Sequence, residues 1–63
     1  MHTLKDLWYL FKNERDRINI CDPLLGDTYL FDYYKNLNIK LYENYKVISI
    51  KNTVNGLKIY IKK

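Results

Sequence analysis

Between Tyr45 and Lys62 the chain alternates apolar and polar positions more regularly than anywhere else. Ile48, Ile50, Asn52 and Val54 take every second place before Asn55-Gly56, and Leu57, Ile59 and Ile61 every second place after Gly56. Asn-Gly readily adopts positive φ at both central positions of a type I′ turn, whose twist suits two antiparallel strands. The spacing predicts a β-hairpin in which Val54 faces Leu57, Asn52 faces Ile59 and Ile50 faces Ile61, with Ile48 extending the row. Side chains alternate across a strand, so the opposite face carries Val47, Ser49, Lys51 and Thr53 against Lys58, Tyr60 and Lys62. One face is dry and the other basic, as in an antiparallel sheet packed on one side only.

Nearer the N-terminus the period is helical. Thr3-Leu4-Lys5-Asp6 has the form of an N-cap followed by an acidic residue three places on, each able to satisfy an orphaned backbone N–H of the other. Leu4, Leu7, Trp8 and Phe11 then fall on one stripe of a helix of about two and a half turns. Lys12 suits its C-terminal end, and Asn13 suits the left-handed conformation that ends a helix. Tyr9 and Leu10 flank the stripe.

From Arg15 to Asp22, Ile18 and Ile20 alternate with Arg17, Asn19 and Cys21, a period of two that predicts a strand with its isoleucines inward. Asp22-Pro23 and Gly26-Asp27 mark a turn, and Tyr29 to Asp32 is β-prone again, so a further hairpin is expected. Leu24 and Leu25 sit in its loop, either tucked against the core edge or exposed as a contact point. Tyr33 to Asn44 supports two patterns. Tyr34, Leu37 and Leu41 share helical spacing, whereas Leu37, Ile39 and Leu41 alternate as in a strand. A short helix carries the chain compactly between hairpins, and helix is the expectation. The fold expected is one α+β domain over residues 1–63, α-β-β-α-β-β, with a four-stranded antiparallel sheet covered on one face by helix.

Size and composition narrow the function. A chain of 63 residues buries about 60% of the surface its unfolded form exposes, so small domains usually need a staple. The single cysteine, Cys21, forms no intrachain disulfide, and one His beside one Cys makes no structural zinc site. Burial against a second copy, as a homodimer, or against a larger partner is the remaining route. No apolar run approaches the roughly 20 residues of a membrane span, and no secretory signal pattern opens the chain. The expected location is the cytoplasm, that of the host if the source is a phage.

The net charge of +4 is uneven: residues 40–63 hold six lysines and only Glu43. Such asymmetry marks either a solvated surface or an anionic partner. Nine lysines to two arginines favour the solvated surface, because arginine makes the bidentate phosphate and base contacts. Lys, Asn, Ile and Tyr supply 30 of the 63 residues. Their codons are rich in A and T, which points to an AT-rich genome.

Leu4-Lys5-Asp6-Leu7, Arg17-Ile18-Asn19-Ile20-Cys21-Asp22, Leu30-Phe31-Asp32, Tyr45-Lys46-Val47-Ile48-Ser49-Ile50 and Leu57-Lys58-Ile59-Tyr60-Ile61 together resemble short uncharacterised accessory proteins of phages and prophages of low-GC Gram-positive bacteria. The likeness spans most of the chain in loose form and departs in the short, tyrosine-rich middle segment. Its motifs are architectural and carry no active site. The resemblance implies a small accessory protein, of a kind that often acts by binding host machinery, defence systems included.

Catalytic groups are sparse. Cys21 lies beside Asp22, whose charge raises a thiol pKa, and His2 is near a chain end. The spacing of Asp16, Asp22, Asp27 and Asp32 matches no calcium loop, and turn formation accounts for Asp22 and Asp27. Gly26 and Gly56 alone build no phosphate loop. No enzyme activity, metal site or cofactor is expected.

Seven tyrosines exceed what so small a core can bury, and several should reach the surface. Tyrosine anchors protein interfaces and equally stacks on unpaired bases. The leading expectation is a non-enzymatic inhibitor or modulator of a host protein, docking through Tyr33, Tyr34, Tyr42 and Tyr45. The alternative is a nucleic-acid binder using Lys51, Lys58, Tyr60 and Lys62. A nucleotide sponge with a dimer cleft and a capping or assembly component are further readings.

Overall fold

A computed structural model describes residues 2–63. Thr3 precedes helix α1 (Leu4–Trp8), which tightens into a 3₁₀ turn at Tyr9–Phe11. Strands β1 (Ile18–Cys21) and β2 (Thr28–Asp32) follow, then a 3₁₀ turn at Tyr34–Asn36, β3 (Lys46–Thr53) and β4 (Gly56–Lys62). The four strands form one sheet in the order β2-β1-β4-β3.

The helix starts where its cap residues place it. The Thr3 N–H donates to the Asp6 carboxylate at 3.2 Å, and the first helical donors are taken by chain that leads into β3: Leu4 N–H by the Tyr45 carbonyl and Lys5 N–H by the Glu43 carbonyl, both at 2.9 Å. The apolar stripe is realised, with Leu4 and Phe11 buried and Leu7 and Trp8 packed beside them. Tyr9 and Leu10 stay exposed. Asn13 does not close the helix in a left-handed conformation; among the described residues only Gly26 and Gly56 have positive φ. The 3₁₀ turn ends it instead, with Glu14 N–H on the Phe11 carbonyl at 3.0 Å.

Both expected hairpins form, but the sheet is mixed rather than wholly antiparallel. β1 pairs with β2 and β3 with β4 in antiparallel fashion, while β1 runs parallel to β4, Ile18 opposite Leu57 and Ile20 opposite Ile59. The reason lies in composition. β1 and β4 each turn two isoleucines to one face, Ile18 and Ile20 with Ile59 and Ile61, and all four are fully buried. Setting them side by side puts both in the centre, and β2 and β3 become edges. Joining β2 to β3 in series would have left the isoleucine strands at the edges.

The C-terminal hairpin turns one residue earlier than its Asn-Gly suggests, which moves every cross-strand partner by two. Thr53 pairs with Gly56, so Val54 and Asn55 are the loop, and Ile50, not Asn52, faces Ile59. Neither loop residue has positive φ, and Gly56 follows at φ +129°. The Thr53 hydroxyl holds the turn, donating to the Gly56 carbonyl at 2.8 Å. A two-residue shift keeps each side chain on its face, but a bulge between Val47 and Ser49 pairs Val47 with Ile61. Val47 therefore packs on the core, whereas Ile48 and Ile50 are exposed and Val54 is 96% exposed. The dry row continues only part of the way along β3.

No second α-helix forms over Tyr33 to Asn44. Asp32 accepts from the Tyr33 N–H at 2.7 Å and the Asn36 amide at 3.2 Å, which starts the 3₁₀ turn. Leu37 is already extended, at ψ 130°, and the Asn38 side chain takes the Lys40 N–H at 3.0 Å. Asn competing for backbone donors in this way disfavours helix. Leu37 and Ile39 reach the core, but Leu41 is 82% exposed, so neither repeat is completed. Aromatic rings roof the sheet instead. Trp8 stacks on Tyr34 (4.8 Å between centroids) and meets Phe11 edge-on, while Tyr29, Tyr42 and Tyr45 form a three-ring cluster.

Gly56 is doubly constrained, since a Cβ there would run into the Arg17 carbonyl. At Gly26, with φ +75°, the space is open. Gly26→Ala should cost roughly 1–2 kcal/mol, the conformational penalty alone. Gly56→Ala should cost more, because β1 must shift as well. Urea unfolding of both variants checks the order.

Candidate functional site

Helix, 3₁₀ turns and aromatic roof all lie on the face that carries Ile18, Ile20, Ile59 and Ile61. The other face is left open. By register it presents Asn19 and Cys21 of β1, Thr28 and Phe31 of β2, Lys46, Ser49, Lys51 and Thr53 of β3, and Lys58, Tyr60 and Lys62 of β4. The Thr28 hydroxyl bonded to the Asn19 side chain at 3.0 Å marks the shared side. None of these strand positions is acidic.

Four basic side chains of this face therefore come from one hairpin, Lys46, Lys51, Lys58 and Lys62, with Tyr60 between the last two. The Lys58 ammonium stands 6.0 Å from the centre of the Tyr60 ring. A fifth cation is Arg17, just before β1, whose guanidinium lies 5.0 Å from the Tyr33 ring centre and 5.9 Å from that of Phe31. Phe31 is 53% exposed, unusual for a phenylalanine, and Tyr33 is 38% exposed. Arg17, Asn19, Phe31, Thr53, Asn55 and Lys58 line a depression of about 220 Å³. Cations thus sit against exposed ring faces around a shallow hollow that offers two amide side chains.

The four lysine-face residues expected from sequence are brought onto one surface. The four tyrosines expected to dock a protein are divided. Tyr34 is stacked on Trp8 and half-buried, Tyr42 and Tyr45 pack with Tyr29, and Tyr33 alone is exposed, beneath Arg17. Arg17 and Phe31 are members of the open face that sequence reasoning missed. Phe31 had a signal: it alternates with the inward Leu30, so it had to point away from the core.

The titrating groups near the sheet are structural. Cys21 is buried although it lies on the open side, a short side chain in a central strand, and burial pushes its thiol pKa up. Asp22 is held below the usual carboxylate range by N–H bonds from Leu25 and Leu24 and also accepts from the Tyr29 hydroxyl at 3.1 Å. Tyr29 is pushed up, first by desolvation and then by that bond. Asp6 and Asp32 are lowered chiefly by the N–H groups of Thr3 and Tyr33, and the Arg17 charge adds to the effect on Asp32. Among the described residues no group of three or more His, Cys, Asp or Glu side chains is arranged to hold a metal ion. No helix there is long and apolar enough to cross a membrane.

No family model, curated protein or solved structure matches the chain.

Two outcomes follow from these groups. The Cys21 thiol should react with a disulfide reagent at a small fraction of the rate seen after denaturation, because its thiolate is both buried and disfavoured. The depressed aspartates favour folding while ionised, so their contribution is present above the unfolded pKa and lost as pH falls through the folded values. The thermal midpoint should be steady above about pH 5 and fall below about pH 4, and Asp22→Asn should remove part of that fall.

Proposed function

We propose that the protein is a small non-catalytic module that binds single-stranded nucleic acid across the open face of its sheet. The observation that carries this reading is the pairing of exposed rings with cations on a face without acidic strand positions. Every base has a π face, so Phe31, Tyr33 and Tyr60 suit unpaired bases, while Lys51, Lys58, Lys62 and Arg17 follow the phosphates. A duplex is the poorer fit, since a shallow face has no projecting helix or ribbon to enter a groove. The module acts by coating or positioning a strand rather than by chemistry.

A second reading, modulation of a host protein, draws on Leu24 and Leu25, both well exposed at the tip of the first hairpin. It has less support at Tyr34, Tyr42 and Tyr45, which serve the core. A small accessory role in a phage is compatible with either.

Binding of labelled oligothymidylate, followed by anisotropy at several salt concentrations, tests the proposal. Log affinity should fall linearly with log salt, by about 0.7 per phosphate neutralised. Lys51→Gln and Lys58→Gln should each reduce that slope by about 0.7, and Phe31→Ala should lose about 1–3 kcal/mol of binding. Affinity unchanged between about 50 and 200 mM salt would sink the reading. Retention of one host protein from a nuclease-treated lysate, lost on Leu24→Ser with Leu25→Ser, would then favour the second.

A further inference from the structure

Beyond the open face lies a cleft of about 340 Å³ bounded by Lys12, Glu14, Arg15, Tyr33, Tyr34 and Lys35. Three of those side chains are cationic and exposed. The only carboxylate, Glu14, is turned onto its own loop, where it accepts the Asp16 N–H at 3.2 Å.

Both walls are fixed before any ligand arrives. On one side the turn after the helix is held by Lys12 N–H on the Tyr9 carbonyl at 3.4 Å and Glu14 N–H on the Phe11 carbonyl. On the other, Asp32 anchors the Tyr33 N–H, and the Asn36 N–H closes on the Tyr33 carbonyl at 2.9 Å. Tyr34 is clamped against Trp8. A preformed site forfeits less entropy on binding.

The cleft is joined to the open face through one residue. Tyr33 lines the cleft and also lies beneath Arg17, which lines the hollow beside Phe31 and Lys58. Cations and rings therefore alternate without a break from Lys12, Arg15 and Lys35, over Tyr33 and Arg17 at the β2 edge, to Phe31 and Lys58. An isolated phosphate would need the cations alone. A strand with a phosphate beside every base needs both.

We propose that the cleft holds phosphodiester groups of the same single strand that crosses the open face, so that the bound strand bends around the β2 edge at Tyr33. This rests on the nucleic-acid reading of the open face.

The test uses the full chain carrying Lys12→Gln, Arg15→Gln and Lys35→Gln together, with oligothymidylates of about 4 and about 16 nucleotides, the range of site sizes known for small single-strand binders. The longer strand should bind the triple variant at least about tenfold more weakly, with a salt slope smaller by about 2, and the shorter strand should be unaffected. Trp8 is the only tryptophan and stacks on Tyr34 of the cleft wall, so its fluorescence should respond to the longer strand only. Oligouridylates of the same lengths distinguish RNA from DNA as the source of the phosphates. A triple variant that binds the longer strand as tightly as the native chain overturns the cleft while leaving the open face standing, provided Lys51→Gln and Lys58→Gln still weaken binding. If those two variants also change nothing, or the native chain binds neither strand, the reading of the face falls and the cleft falls with it.

Discussion

The parallel pairing of β1 with β4 governs the molecule. It joins two hairpins through the strands that carry two fully buried isoleucines each and sets all four in one layer. Everything that covers them is then committed to one side. A chain this short has material for only one lid, since the fraction of surface that can be hidden falls with size. The lysines and threonines of the opposite face keep it wet.

The lid shows how the tyrosines are used. A second amphipathic helix would have spread its apolar residues at helical spacing. The chain from Tyr33 to Tyr45 instead drapes over the sheet and buries rings, which supply much area with few rotatable bonds. Tyr29, Tyr34, Tyr42 and Tyr45 are spent there. Tyr9 stays outside on the helix, and on the open face the exposed Phe31 and Tyr33 and the half-buried Tyr60 each stand beside a cation. The edges show the complementary restraint. β3 is a long edge with exposed isoleucines, yet it carries Lys46 and Lys51 and a bulge at Ile48, features that discourage a second copy from adding its own strand.

The local patterns were legible in the residues. The helix stripe, the alternation of Ile18 and Ile20, the first hairpin and the lysine-bearing side of the second all follow from period and turn chemistry. Three things did not. Asn55-Gly56 offered the commonest turn, but the Thr53 hydroxyl and the close approach of Gly56 to Arg17 favoured a turn one residue earlier. The bulge at Ile48 answers to a partner strand, which no local window contains. The direction in which one hairpin meets the other depends on which strands turn isoleucines to the core, a comparison across the whole chain. For the site, Lys51, Lys58, Tyr60 and Lys62 could be grouped because one hairpin carries them. Arg17 and Phe31 come from the other hairpin, and their place beside the lysines depends on the parallel junction.

That junction also sets an order of events. Each hairpin closes a short loop and forms quickly, whereas bringing β1 to β4 must close the intervening chain from Asp22 to Asn55, which carries a larger entropic penalty and slows folding. During synthesis the helix, β1 and β2 emerge first and have no central partner. Ile18 and Ile20 face water on a strand paired along one edge only until the C-terminal hairpin emerges. The nascent chain therefore passes through an interval in which a strand bound for the centre of the sheet is an open edge, and the speed with which residues 46–62 arrive decides between folding and association with a neighbour.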